Sequence, residues 1–442
     1  MLQEFKSPLS AQIEVTSRCP NSCIHCYNHW REAGQEDASL TTHDIDHIVG
    51  DLARSEVLDL LITGGEPMLN LPAMFRTLEL AHEHAMPCSL NSNLTLATDE
   101  VAVALREFGT PVLTSVLSAS PSVHDEITRT EGSFDRTLAG ISLLVSHGVH
   151  VSVNMVVMKQ NLGDIYHTAK LLYDEFGLSS FNATKVEPSQ NCPDFAPLEL
   201  LPSDVIRMFD ELLRIEDELG IRIGSLTSYP VCLVKDLGRY HMVRERGCNA
   251  GQTGCTVGPD GSVRACALSD YSYGNLLDEP LSRVWPRLKE WRDDSLLPET
   301  CLDCAYIGRC STGCRMTCKY YSGIRSESRY MEHDYFEITF PPGDNSPAVG
   351  VHERLQIADR VRYRREDFGV VVTAMKFRYP MITHDSSDLL ESLHGRQFTL
   401  FDIGKQYDVD MDHLVGFFSD LVAHGIVHRA ADHHDGGQVL HG

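Results

Sequence analysis

Cys19, Cys23 and Cys26 stand close together in the run Cys19-Pro-Asn-Ser-Cys23-Ile-His-Cys26, directly after a short β-rich stretch. Thiolates about 4 Å apart repel by about 4 kcal/mol per pair at an effective dielectric of 20, so without a cation most stay protonated. A bound metal removes that penalty. Structural zinc asks for four closed ligands, and only His25 and His29 lie nearby to add to the three sulfurs. A four-iron cubane on three cysteines instead leaves one iron open to a substrate or cofactor. A second pattern, Gly64-Gly65-Glu66-Pro67, ends the next β-rich run, and its glycines permit close approach of backbone to a ligand.

Of the fourteen cysteines, eight more fall between positions 248 and 318: Cys248, Cys255, Cys266, Cys301, Cys304, Cys310, Cys314 and Cys318. The N-terminal stretch has no basic segment followed by a long apolar one, so a reducing, cytoplasmic setting is expected. There such spacing binds metal more often than it forms disulfides. Eight thiolates divide evenly into two four-cysteine sites, as a pair of zinc ribbons or as two iron–sulfur clusters. Cys88, Cys192 and Cys232 are scattered singly and read as small buried residues.

The elements that must position these groups alternate. QIEVT at 12–16, LDLLITG at 58–64, PCSLN at 87–91, PVLTSVLS at 111–118, HVSVNMVVM at 150–158 and SSFNATKV at 179–186 read as strands. Between them, segments such as HDIDHIVGDLARSE and GDIYHTAKLLYDEFG repeat apolar residues at helical spacing. Strand, helix, strand units imply parallel pairing and an α/β fold, here a partial (β/α)6 barrel. The helix at 203–219 is expected to leave the barrel, and the 247–318 stretch to need more than apolar burial to hold it. PPGDNSP at 341–347 reads as a linker. Three strands, at RVRYRRE, FGVVVTAMK and RYPMI, then three helical patterns make a small winged-helix-like α+β domain, with HHDGGQVLHG as a loose tail.

The cysteine loop after the first strand, with Gly64-Gly65-Glu66-Pro67 after the second, resembles the radical S-adenosylmethionine (SAM) superfamily. The resemblance implies a [4Fe–4S] cluster on Cys19, Cys23 and Cys26 whose open iron is chelated by SAM, with His25 against the adenine. It implies that the Gly64, Gly65 and Glu66 segment binds the methionine ammonium through backbone carbonyls and the carboxylate. Ser92-Asn93-Leu94 stands where relatives carry Thr-Asn-Gly near the SAM ribose or carboxylate, without the glycine. Val116-Leu117-Ser118-Ala119 replaces the usual Ser-Leu-Asp-Gly, followed at the usual offsets by His124-Asp125, Arg129 and Gly132-Ser133-Phe134-Asp135. Asn154 and Asn161 fit the family's VxVNxVVxKxN run. The SAM-contacting set expected from the resemblance is therefore His25, Gly64, Gly65, Glu66, Ser92, Asn93, Ser118 and Asn154. No catalytic acid or base is named by a motif; Glu187, a carboxylate at a strand end, is the one guess the sequence offers.

The later cysteines resemble the SPASM extension of such enzymes, which carries two auxiliary [4Fe–4S] clusters. Carried over by position, Cys248, Cys255, Cys266 and Cys314 hold the first and Cys301, Cys304, Cys310 and Cys318 the second. GPDGSV between Cys255 and Cys266 is a hairpin signal, and Gly274-Asn275-Leu276 matches another SPASM element. Val361-Arg362 through Phe368-Gly369, His384 through Leu390, Leu393-His394-Gly395 and Leu421 through Gly425 resemble the small peptide-chaperone domain of pyrroloquinoline quinone biosynthesis. That domain binds an extended leader peptide by strand addition. The expected organisation is a radical SAM barrel over 1–224, a SPASM region over 225–340 and a peptide-recognition domain over 348–432.

The order of these parts implies a maturase. It modifies a ribosomally made precursor peptide, by thioether or carbon–carbon crosslinking after hydrogen abstraction, with SAM, three [4Fe–4S] clusters and an electron donor such as flavodoxin or ferredoxin. The alternatives are a formylglycine-type sulfatase maturase and a non-catalytic zinc protein that escorts peptides. A net charge of −24 opposes attraction to nucleic acid or anionic lipid. Asp408, Asp410, Asp412 and Asp420 oppose phosphate at the last helices. No stretch is long and apolar enough to span a bilayer.

Overall fold

The computed structural model describes residues 4–31, 37–188, 194–234, 236–244, 246–307, 310, 312–321, 323–331, 348–374, 379–407 and 409–430. Cys192, the 341–347 linker and the histidine-rich C-terminal run lie outside them. The chain divides into two compact units, Met1–Pro341 and Pro342–Gly442.

In the first unit the expected strands appear in order: β1 (Ser10–Glu14), β2 (Asp59–Thr63), β3 (Cys88–Asn91), β4 (Val112–Ser115), β5 (Val151–Val157) and β6 (Ser180–Lys185). Helices α1 (Thr42–Arg54), α2 (Leu71–Glu83), α3 (Asp99–Glu107), α4 (Pro121–Thr128), α5 (Ser133–Ser146) and α6 (Ile165–Phe176) connect them. Each start and stop has a local cause. Thr41 and Asp44 form a reciprocal capping box at α1. Gly177 ends α6 in the left-handed conformation at φ 62°.

The helix expected to leave the barrel stays on it. This helix, α7 (Pro202–Leu219), buries Val205, Met208, Phe209, Leu212 and Ile215 and feeds β7 (Arg222–Gly224), which pairs in parallel with β6. On the far side β8 (Gly254–Val257) pairs in parallel with β1, and β9 (Val263–Arg264) turns back antiparallel to it through the expected hairpin. The sheet order is β7-β6-β5-β4-β3-β2-β1-β8-β9, an open sheet and not a closed barrel. The cysteine-rich region is thus part of the same layer. Val257, Val263, Leu276, Leu281, Trp285 and Leu288 bury in one cluster with Ile13, Ile62 and Val153 of the barrel. At about 25 cal/mol per Å² of apolar surface removed from water, this shared core adds to whatever else holds the cysteine-rich stretch.

The second unit has its own core, built from Leu355, Val370, Val372, Leu390, Leu400, Phe418 and Val427 among others. Its strands are β10 (Leu355–Ile357), β11 (Arg362–Glu366), β12 (Gly369–Thr373), β13 (Met381–Ile382), β14 (Gln397–Phe398) and β15 (Val427–Arg429). They form two small sheets, β11-β12-β13 and β14-β10-β15. The three expected helices are His384–Leu393, Leu400–Tyr407 and Met411–Ala423. The β14-β10-β15 sheet is the addition; its two- and three-residue strands are too short to leave a period in the sequence.

Candidate active site

The loop after β1 is pinned from two sides. Gly65 N–H donates to Thr16 O at 2.7 Å, and Glu66 N–H to Arg18 O at 2.7 Å, so the turn after β2 lies against the start of the cysteine loop. The contact is backbone on backbone. A Cβ on Gly65 would sit 2.1 Å from Arg18 O, and one on Gly64, at φ 135°, would sit 2.5 Å from Thr16 O. On the other side Ser22 N–H and Ile24 N–H donate to Thr128 O and Ile127 O, at the end of α4.

Glu66 is wholly buried. Its Oε1 accepts from Met68 N–H at 3.1 Å and Ser92 Oγ at 2.8 Å, and its Oε2 accepts from Asn93 N–H at 2.8 Å. Burial pushes the carboxyl up, and these three hydrogen bonds oppose that shift. The carboxylate therefore ties the end of β2 to the end of β3. The resemblance gives this carboxylate the ammonium as partner; here protein donors already hold it, and among the described residues no ion pair reaches it. Asn93 continues the chain of contacts, its Nδ2 lying 3.6 Å from Cys19 Sγ. Leu94, in the place of the family's glycine, adopts the left-handed conformation at φ 60°.

His25 is partly buried in the cysteine loop. Burial pushes its imidazole down to about 4, with nearby His124 adding to the shift. His124, buried, is likewise held down to about 4 by desolvation, and its Nδ1 accepts from Leu117 N–H at 3.2 Å. In both rings Nε2 is buried without a hydrogen-bond partner in the protein. Two neutral imidazoles with idle nitrogens beside the cysteine loop suit a polar ligand.

The remaining expected SAM contacts are engaged within the protein. Ser118 donates to Asp164 Oδ2 at 2.6 Å. Asn154 accepts from Thr184 Oγ1 at 2.7 Å. Asn161 is buried and bonds Leu117 O, Val156 O and Met158 N–H, so it fastens the ends of β4 and β5. Asp125 caps α5 through Gly132 N–H, Ser133 Oγ and Phe134 N–H.

In the second cysteine region the thiols fall into two electrostatically coupled sets. Burial pushes Cys266 up to about 12, and Cys248 adds to it; Cys314 is raised by burial and also by Cys248 and Cys266. Cys301 is raised by burial, then by Cys310 and Cys304; Cys310 is raised by burial and by Cys304. Cys255, on β8 opposite Ala11, is pushed up to about 12 by burial, and Cys318 is raised by burial and by Glu187. Backbone N–H groups of Val231 and Thr312 point at Cys310 Sγ from 3.4 and 3.3 Å. Among the described residues no three His, Cys, Asp or Glu side chains close around a point as ligands of a single ion do. A cubane takes its cysteines at separate corners of a cage.

Sequence reasoning missed the groups that join the two regions. Glu14, ending β1, and Arg264, on β9, form a buried ion pair; Trp30 Nε1 also donates to Glu14, and Arg264 reaches His29 Nδ1 at 3.1 Å. At the end of β6, buried Lys185 donates to Glu187 at 2.6 Å, while Thr227 and Thr317 also donate to Glu187. Glu187 thus sits in a fully engaged network below the cysteine helix Arg315–Tyr321. No motif marks these partners, because their separations in sequence run to 250 residues. A cavity of about 510 Å³ lies over the same helix, lined by Tyr271, Tyr273, Trp291, Met316, Lys319 and Ile324 among others.

Residues 13–172 match the Radical SAM superfamily and residues 248–305 the SPASM iron–sulfur cluster-binding domain. The chain is 27% identical over 334 residues to the AdoMet-dependent heme synthase of Methanosarcina barkeri, covering 71% of this chain and 93% of that protein. It is 26% identical over 338 residues to the mycofactocin maturase MftC of Mycobacterium tuberculosis, covering 73% of this chain and 83% of that one. Its fold is similar to that of Streptococcus suis SuiB bound to precursor peptide SuiA, with a TM-score of 0.61, 16% identity and coverage of 73% and 75%. The chain is an enzyme that carries a Radical SAM domain and an iron–sulfur cluster-binding SPASM domain. Among the described residues no helix is long and apolar enough to cross a membrane.

Proposed function

We propose that this enzyme modifies a ribosomally made precursor peptide by oxidative crosslinking, with Cys19, Cys23 and Cys26 holding the cluster that binds SAM. The observation that carries the site is the wholly buried Glu66 carboxyl beside the cysteine loop, held by three hydrogen-bond donors and, among the described residues, paired with no cation, which leaves room for the SAM ammonium. Bound there, SAM on its cluster would supply the radical chemistry that removes a hydrogen atom from the peptide. Gly64 and Gly65 bring backbone carbonyls within reach, Asn93 steadies Cys19, and His25 with His124 offers ring nitrogens to the nucleoside. Cys248, Cys255, Cys266 and Cys314, and Cys301, Cys304, Cys310 and Cys318, would hold two auxiliary clusters, which would supply acceptors for the electron left by bond formation, the proton going to solvent. A flavodoxin or ferredoxin supplies the starting electron.

Peptide as substrate is supported by the similarity to a mycofactocin maturase, and by the second unit. Its residues 348–430 resemble the peptide-chaperone domain, and β11 and β13 form the edges of a sheet that a leader strand can extend. A small-molecule substrate, as the name of the heme synthase suggests, is the competing reading; the two relatives cover nearly the same share of this chain, 71% and 73%, so the second unit carries the choice. Coexpression with candidate precursor peptides decides between them. The expected result is 5'-deoxyadenosine together with a peptide lighter by two hydrogens. Deoxyadenosine formation that no peptide stimulates overturns the peptide reading, and none at all overturns the SAM site.

A further inference from the structure

Arg315 follows Cys314 directly and opens the helix Arg315–Tyr321. It is 5% exposed, and its guanidinium is spent on main-chain carbonyls: Thr312 O at 2.6 Å, Ser326 O at 3.2 Å and Ile324 O at 3.4 Å. Its Nε is buried without a partner. Among the described residues no carboxylate pairs with it, although the other buried cations of this unit have one: Lys185 has Glu187, Arg264 has Glu14 and Arg292 has Glu4. A buried charge with no counter-charge is costly enough to demand one.

The surroundings show where that counter-charge belongs. The peptide unit of Thr312 links the guanidinium to a sulfur: its carbonyl accepts from Arg315 Nη2, and its N–H points at Cys310 Sγ from 3.3 Å. Arg315 is thus covalently adjacent to one thiol set, through Cys314, and one residue's hydrogen bonds away from the other, through Cys310.

We infer that Arg315 is the shared counter-charge of both auxiliary clusters and raises the reduction potential of each. The inference rests on the cluster assignment proposed above and adds a residue that no ligand pattern names. Arg315 is a positioning and field-setting residue, not a catalytic one. A fixed positive charge stabilises the reduced, more anionic cluster more than the oxidised one, so neutralising it disfavours reduction.

The test is a redox titration followed by electron paramagnetic resonance. It uses the full chain, reconstituted anaerobically, with Cys19, Cys23 and Cys26 replaced by alanine so that only the second region responds. Arg315→Gln should lower the reduction equilibrium constant of both clusters about tenfold, about 59 mV for a one-electron couple. Arg315→Lys, which keeps the charge and loses the fork, should stay near the parent. Iron retained with potentials unmoved in Arg315→Gln overturns the inference, as does an equal fall in Arg315→Lys. Loss of iron from both variants also overturns it, because the residue then serves folding alone. A parent protein that binds no iron in this region overturns the cluster assignment first, and this inference with it.

Discussion

Glu66 and His25 show how much a single side chain can depend on what lies beside it. Both oxygens of Glu66 accept from inside the protein, so Glu66→Gln must turn an amide N–H₂ toward one of the Ser92, Met68 or Asn93 donors. That mismatch should cost about 1–3 kcal/mol, read from the urea midpoint. SAM affinity, read by calorimetry, should fall with it; unchanged affinity would remove Glu66 from the ammonium site. For His25 and His124, burial holds the folded imidazole near 4 against an ordinary value of 6.5. Between those values the unfolded chain binds more protons, so stability is complete above about pH 6.5 and falls as pH drops toward 4. Glu14 and Glu66, whose carboxyls burial raises, act in the opposite sense. The measurable consequence is differential: His124→Gln should show a smaller loss of urea midpoint between pH 6.5 and pH 5 than the parent.

Two contacts between elements decide whether the chemical groups meet at all. One is the backbone meeting of the turn after β2 with the loop after β1. Gly65→Ala forces a methyl group to 2.1 Å from Arg18 O, where neither main chain can yield cheaply. It should cost about 1–3 kcal/mol or more and deplete iron at the first cysteine set while sparing the second, as metal analysis against a Cys19→Ala control would show. The other is the Glu14–Arg264 pair that fixes the β8–β9 hairpin to β1. Arg264→Met leaves Glu14 as an unpaired buried charge and should cost about 3–5 kcal/mol by urea denaturation. Adding Glu14→Leu should recover part of that loss; a double variant no better than the single one would show that the carbonyl contacts of Arg264, to Ala267 and Ser269, carry the effect.

At the scale of the molecule, two separate cores predict separable duties. The first unit keeps both cysteine regions on one buried cluster, while residues 348–430 bury their own apolar set around Phe418. A chain ending at residue 340 should therefore keep its iron and cleave SAM in the presence of a reductant. It should lose most of its affinity for a leader peptide, measured by fluorescence anisotropy with a labelled precursor. Undiminished leader binding by the shortened chain would place recognition in the first unit.

The sequence by itself determined the chemistry and the order of the layers. Cysteine spacing, the Gly-Gly-Glu-Pro turn and the alternation of β-branched runs with helical periods are all local patterns, set by ligand geometry and by side-chain period over a few residues. The six strands and the β8–β9 hairpin were legible for that reason. What only the tertiary structure decided is non-local: that β8 lies beside β1, that α7 stays on the sheet, and that Glu14 meets Arg264 and Glu187 meets Thr317. Such pairings depend on which surfaces meet after folding. A buried charge such as Arg315 carries no period or motif, and its main-chain carbonyl partners are visible only in the folded chain.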